Sequence, residues 1–89
     1  MLNPIQGGQF KWDIKLSKKR NKDMDKLREL MRFLIQEKSL PLEYKDHPLK
    51  GNWAHHRDSH MEPDGILIYK IDGNDLYFVR TGTHADIFG

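Results

Sequence analysis

Five histidines, His47, His55, His56, His60 and His84, stand in the second half of an 89-residue chain, together with Asp58, Asp64 and Arg80. Cysteine is absent. That removes a thiolate nucleophile, a disulfide framework and a cysteine-held zinc site together. Any chemistry falls to imidazole, carboxylate and cationic groups. An imidazole titrates ordinarily near pH about 6.5, so it can give and take protons in neutral solution. Beside a carboxylate and an arginine, imidazoles suit phosphodiester cleavage by an internal 2′-hydroxyl. The hydroxyl loses a proton, the leaving 5′-oxygen gains one, and the phosphorane charge meets a cation. No metal is required for that reaction. A second reading of the same residues is a metal site built from His47, His60, Asp64 and His84. Their spacing forms no recognised ligand motif, and this reading ranks below the first.

These residues need elements to position them. Gly65 to Ile71 and Leu76 to Thr81 are β-branched and aromatic runs joined across Asp72-Gly73-Asn74-Asp75, which predicts a β-hairpin. Trp53 to His60 reads as a third strand, with Ala54, His56, Asp58 and His60 on one face and Trp53, His55, Arg57 and Ser59 on the other. Asp58 on that face is placed to orient His60. His47 then lies in a loop, His60 at a strand end, Asp64 just before the central strand, and Arg80 and His84 at the end of the last strand, where sites are commonly built. Trp53, Tyr69, Tyr77 and Phe78 read as sheet packing, and His55 and His56 as exposed strand residues. Upstream, apolar spacing predicts two helices, one from Gly8 to about Arg20 and one from about Lys22 to Glu37, with Asn21 as cap and turn. Leu2 to Gln6 reads as a short strand that Pro4 confines to a sheet edge. The expected architecture is α+β: an edge strand, a two-helix hairpin, then a three-stranded antiparallel sheet, in a single domain over residues 1–89.

Hydrophobic residues make up 37% and charged residues 31% of the chain, a balance that fits a soluble globular domain rather than a membrane span or a disordered segment. A core this small gives a stability of roughly 5 kcal/mol or less, so a stabilising partner fits. Met1 to Gly8 carries no charged segment followed by an apolar stretch, and the expected location is cytoplasmic. The net charge of +2 hides an asymmetry: residues 1–45 hold 11 Lys/Arg against 6 Asp/Glu, and residues 46–89 hold 4 against 7. A basic face suits a polyanion partner, although lysine-rich helices are commonly plain solvated surface.

Four ordered blocks carry a resemblance. They are Tyr44-Lys45-Asp46-His47-Pro48-Leu49-Lys50-Gly51-Asn52-Trp53, Arg57-Asp58-Ser59-His60-Met61-Glu62-Pro63-Asp64, Ile66-Leu67-Ile68-Tyr69-Lys70, and Arg80-Thr81-Gly82-Thr83-His84-Ala85-Asp86-Ile87-Phe88-Gly89. With Lys22-Asp23-Met24 they resemble the YafQ branch of the RelE-type toxins of bacterial toxin-antitoxin modules. The resemblance implies a small RelE-like fold that enters the A site of the 70S ribosome and cuts messenger RNA without metal or other cofactor. It also implies a cognate antitoxin that wraps and silences the toxin. Carried onto this chain, His47, His60, Asp64 and His84 match catalytic positions, Arg80 matches a residue facing the scissile phosphate, and Phe88 matches an aromatic residue that supports activity. The implied roles are His84 as general acid, Asp64 or His60 as base, and His47 as a positioning or charge-stabilising group. The same resemblance gives the basic first half a purpose, with Lys11, Lys15, Lys18, Lys19 and Lys22 expected to contact ribosomal RNA phosphates, although the first dozen or so residues are unlike the family. One position departs: the branch often carries tryptophan where this chain has Gly65. That departure keeps open a second function, a non-catalytic RNA- or ribosome-binding module of the same fold.

Overall fold

Leu27, Leu30 and Leu34 recur at intervals of three and four, and in the computed structural model, which describes residues 1–89, they form the buried face of a helix. This helix, α2 (Met24–Ile35), follows α1 (Gly8–Lys19). Its cap is Asp23, whose side chain accepts from the N–H groups of Asp25 and Lys26 at 3.1 and 3.3 Å. The cap therefore lies two residues beyond Asn21, the residue expected to supply it. Asn21 has φ 57, and its tolerance of the left-handed region lets it turn the chain between the helices.

Behind the helices lies a five-stranded mixed sheet in the order β1-β5-β4-β3-β2. Its strands are β1 (Asn3–Gln6), β2 (His47–Pro48), β3 (Arg57–Glu62), β4 (Gly65–Asp72) and β5 (Asp75–Gly82). The β4–β5 hairpin forms where expected, turning at Gly73 with φ 61. β1 is an edge strand as Pro4 requires, and it pairs parallel with β5. Three features correct the expected architecture. β2, two residues long, adds a strand at the opposite edge. β3 begins at Arg57 rather than Trp53, because Gly51–Trp53 forms a 3-10 turn and His55 sits at φ 70, which breaks extension. Asp58 and His60 still share a face, but the alternation assigned to Trp53–His56 does not exist. Finally, His84 does not end a strand; it opens a short helix, α3 (His84–Phe88).

The core lies between the helices and one sheet face, where Phe10, Leu27, Leu30 and Leu34 meet Leu67, Tyr69, Leu76 and Phe78. Phe10 stacks on Phe78 with ring centroids 5.5 Å apart. Fully burying a side chain of this size contributes about 1.5–3 kcal/mol. Ile66 and Ile68 point the other way and are also fully buried. Their cross-strand partners are His60 and Asp58, so these two isoleucines form an apolar floor on the sheet face that carries the histidines. No helix is long and apolar enough to cross a membrane.

Candidate active site

His47 is held in place by the residue before it. Asp46 accepts hydrogen bonds from Arg57 Nε at 2.7 Å and from the hydroxyls of Ser59 and Tyr69. Arg57 and Ser59 belong to β3 and Tyr69 to β4, so the network fastens the start of β2 to two strands. Burial, followed by the bond to Asp46, pushes the Tyr69 hydroxyl pKa up. The His47 ring then projects onto the opposite face, with Nδ1 2.8 Å from the Lys45 carbonyl oxygen. A carbonyl only accepts, so Nδ1 carries the proton and Nε2 faces Asp58.

Asp58 is the centre of the arrangement. Its Oδ2 lies 3.8 Å from His47 Nε2 and 3.7 Å from His60 Nε2, distances of charge contact rather than of hydrogen bonds. The residue is only 2% exposed, and its Oδ1 is buried without a partner. Burial raises the Asp58 carboxyl above its ordinary pKa, and His60, His47 and His84 pull it back down. Sequence reasoning gives Asp58 an orienting part beside one histidine; the structure sets it between two.

His84 arrives from the other end of the fold. Thr83 caps α3 in a reciprocal pair, Asp86 N–H donating to Thr83 Oγ1 at 3.1 Å and Thr83 N–H to Asp86 Oδ2 at 3.0 Å. Arg20 donates to the same Asp86 oxygen at 2.8 Å and ties α3 to the end of α1. Gly82 has φ 151, and a Cβ there would stand 3.0 Å from Asp86 Oδ2, so the strand-to-helix turn requires glycine. The turn sets the His84 backbone N–H 3.2 Å and Nδ1 3.0 Å from Asp64 Oδ1. These two bonds hold the Asp64 carboxyl below its ordinary pKa.

The imidazoles form a row, with His47 and His60 centroids 5.8 Å apart and His60 and His84 5.4 Å apart. Phe88 continues it 6.1 Å from His84, and Trp53 stands edge-on to Phe88 at 6.0 Å. Five expected residues, His47, His60, Asp64, His84 and Phe88, are therefore brought together. Trp53, expected in sheet packing, instead abuts Phe88 and His56, and no local spacing signals that contact. Arg80 is held apart from the row: its Nε and Nη2 lie 2.8 and 3.2 Å from the buried carboxylate of Asp13 on α1. Lys11, Lys15, Lys18, Lys19 and Lys22 are all exposed, and Lys22 is close enough to help lower the Asp64 pKa.

Residues 3–89 match the family described as the bacterial toxin of the type II toxin-antitoxin system, YafQ. The chain is 57% identical over 83 residues to the mRNA interferase toxin YafQ of Escherichia coli K12, covering 92% of this chain and 90% of that protein. It also superposes on the toxin in the crystal structure of the E. coli DinJ-YafQ complex with a TM-score of 0.93 and 52% identity over the full length of both chains. A metal-bound toxin from Helicobacter pylori matches with a TM-score of 0.92 and 37% identity, covering 99% of this chain and all of that one.

Proposed function

The chain belongs to the YafQ family of bacterial type II toxins and is an endoribonuclease of the mRNA interferase kind, and on that premise we propose that it cuts messenger RNA in the ribosomal A site by metal-independent acid/base catalysis. The observation that carries the mechanism is the His84–Asp64 pair. Asp64 accepts from Nδ1, which leaves His84 Nε2 to face substrate. His84 is then the general acid that returns a proton to the leaving 5′-oxygen. A carboxylate lowered in pKa by two hydrogen bonds is a weak base, so the task of removing the 2′-hydroxyl proton passes to His60, with Asp64 positioning His84. His47 meets the charge that develops on the phosphorane. Arg80, paired with Asp13 on α1 and set apart from the histidine row, acts by holding β5 against α1 rather than by facing the scissile phosphate. Phe88 packs beside His84 and keeps the ring aligned.

The basic surface of α1 and the following turn, with Lys11, Lys15, Lys18, Lys19 and Lys22, grips ribosomal RNA phosphates. An antitoxin silences the chain, as the DinJ-YafQ complex supports. The metal-bound H. pylori toxin supports an affinity for metal in this fold as well.

Single-turnover cleavage of messenger RNA on programmed ribosomes tests the assignment. His84→Ala is expected to slow cleavage by roughly 10²–10⁴ while ribosome binding persists. Wild-type rates in the variant remove His84 from the acid role. No cleavage by the unmodified chain, with ribosome binding intact, supports the non-catalytic binding module.

A further inference from the structure

Lys45 carries a side chain in a backbone conformation that suits glycine, with φ 47. It closes the 3-10 turn Leu42–Tyr44, its N–H donating to the Leu42 carbonyl at 3.0 Å, and the corner aims its own carbonyl at His47 Nδ1, 2.8 Å away. A left-handed residue other than glycine is held at a cost and persists only where its surroundings impose it. One hydrogen bond from the turn and a β2 strand of two residues are slight means of imposing it. The firm point is Asp46. We infer that Asp46 is a positioning residue for cleavage: gripped on the core face of the sheet, it keeps Lys45 left-handed, and the Lys45 carbonyl then fixes the His47 ring on the other face.

The grip is visible in the carboxylate's partners. Both Asp46 oxygens are engaged, Oδ1 by Arg57 Nε at 2.7 Å and Nη2 at 2.6 Å, and Oδ2 by the Ser59 and Tyr69 hydroxyls. The Arg57 side chain is 44% exposed, and an ion pair to so wet a group adds little. Ser59 and Tyr69 are buried, so their hydroxyls have no water to turn to if the carboxylate leaves, and these bonds are the costly ones to break. They belong to adjacent strands, β3 and β4, neither of them at a sheet edge. The corner that presents His47 is thereby tied to the interior of the sheet.

The chemical consequence lies at Nε2. With Nδ1 donating to the Lys45 carbonyl, Nε2 is the nitrogen left to take up a proton and meet the phosphorane. If Asp46 lets go, Lys45 relaxes out of the left-handed region, the carbonyl moves off Nδ1, and the ring loses both its tautomer and its aim. A misplacement of about 1 Å in a reacting group can cost roughly 10²-fold in rate. The effect on rate rests on the proposed function; the state of the His47 ring does not.

Nitrogen-15 correlation spectra of the imidazole rings, recorded on the full-length chain at a pH where His47 is neutral, read the tautomer directly. Wild type should show His47 with its proton on Nδ1 alone, and Asp46→Ala should show both tautomers. In single-turnover cleavage on saturating programmed ribosomes the same variant should be slower by roughly 10–10²-fold, with the ribosome concentration at half-saturation unchanged. Tyr69→Phe, which removes one donor and keeps the packing of the ring, should shift both readouts the same way by a smaller amount, and it takes the place of Asp46→Ala if circular dichroism shows that variant unfolded. Lys45→Gly added to either variant should recover part of the Nδ1–H tautomer and of the rate, since glycine reaches positive φ without strain. Lys45→Ala removes the same lysine but keeps the strain, and should recover neither. A His47 ring that stays wholly in the Nδ1–H tautomer in the folded variants overturns the inference, whatever the rate, and equal recovery by glycine and alanine overturns the part given to Lys45. If the unmodified chain does not cleave, the proposed function fails, while the spectra still decide what holds His47.

Discussion

Asp13→Ala is the substitution whose cost the structure makes most explicit. Asp13 is 4% exposed and accepts from Arg80 Nε at 2.8 Å, Arg80 Nη2 at 3.2 Å and the Thr81 backbone N–H at 3.1 Å. β1 stops pairing with β5 at Phe78, so the carboxylate also closes the sheet edge beyond that point. Removing it strands a guanidinium whose side chain is only 20% exposed and orphans a buried N–H. Breaking a buried ion pair by deleting one partner costs about 3–5 kcal/mol, and the residual exposure of Arg80 puts this case near the lower end. The orphaned N–H adds about 1 kcal/mol, less than additively, for an expected total of about 3–4 kcal/mol. Domains of this size lose roughly 4–8 °C of Tm per kcal/mol, so Tm should fall by about 12–30 °C. Urea unfolding monitored by circular dichroism measures the loss directly. Asp13→Ala combined with Arg80→Met should recover part of it, because the double variant leaves no unpaired charge. A loss below about 1 kcal/mol would show that water replaces the carboxylate and that the pair does not hold α1 to β5.

Replacing Lys15, Lys18 and Lys22 with glutamine should weaken ribosome binding and reduce the slope of log affinity against log salt by somewhat under one unit for each phosphate no longer engaged, with the saturating cleavage rate unchanged. An unaltered slope would identify these lysines as solvated surface. Gly65→Trp should fold after Glu62 gives way by a few tenths of an ångström, since the new Cβ would stand 3.3 Å from Glu62 Cβ. The added ring should strengthen single-stranded RNA binding by about 1–3 kcal/mol through stacking, and unchanged affinity in a filter-binding titration would exclude a base at that position. For Asp64→Asn the pH dependence has a definite sign. The folded carboxyl titrates below its ordinary value of 3.8, so its contribution is fully present above that value and is lost as pH falls through the folded pKa. The variant should be less stable than wild type at neutral pH, and the two should converge well below pH 3.8; a gap that persists in acid would break the link to His84.

The elements legible in the sequence are those with a period. The stripe through α2 and the two runs flanking Asp72-Gly73-Asn74-Asp75 repeat often enough to declare a helix and a hairpin. β2 is two residues, His47 and Pro48, and two residues have no period. α3 spans five residues, too short for helical spacing, although Thr83 and Asp86 are placed as a capping pair that could announce it. The start of β3 escapes sequence reasoning because alternation cannot register the positive φ of His55. The residues of the candidate site emerge through the ordered blocks of the resemblance, among them Asp64 and His84. Arg80 stands out in the sequence as a residue of interest, but its partner Asp13 lies 67 positions away, and no local pattern connects two such sites.

The parallel pairing of β1 with β5 sets the order in which a growing chain can mature. Asn3 meets Asp75 across 72 positions, and the core ring of Phe10 waits for Phe78. During synthesis α1 therefore leaves the exit tunnel with its core partner and its carboxylate's partner still unmade, and long-range closure of this kind is slow. The histidine row is assembled only after β5 has been translated and His84 has followed it. Until its last residues have emerged, a nascent copy therefore lacks the row on which the proposed chemistry depends.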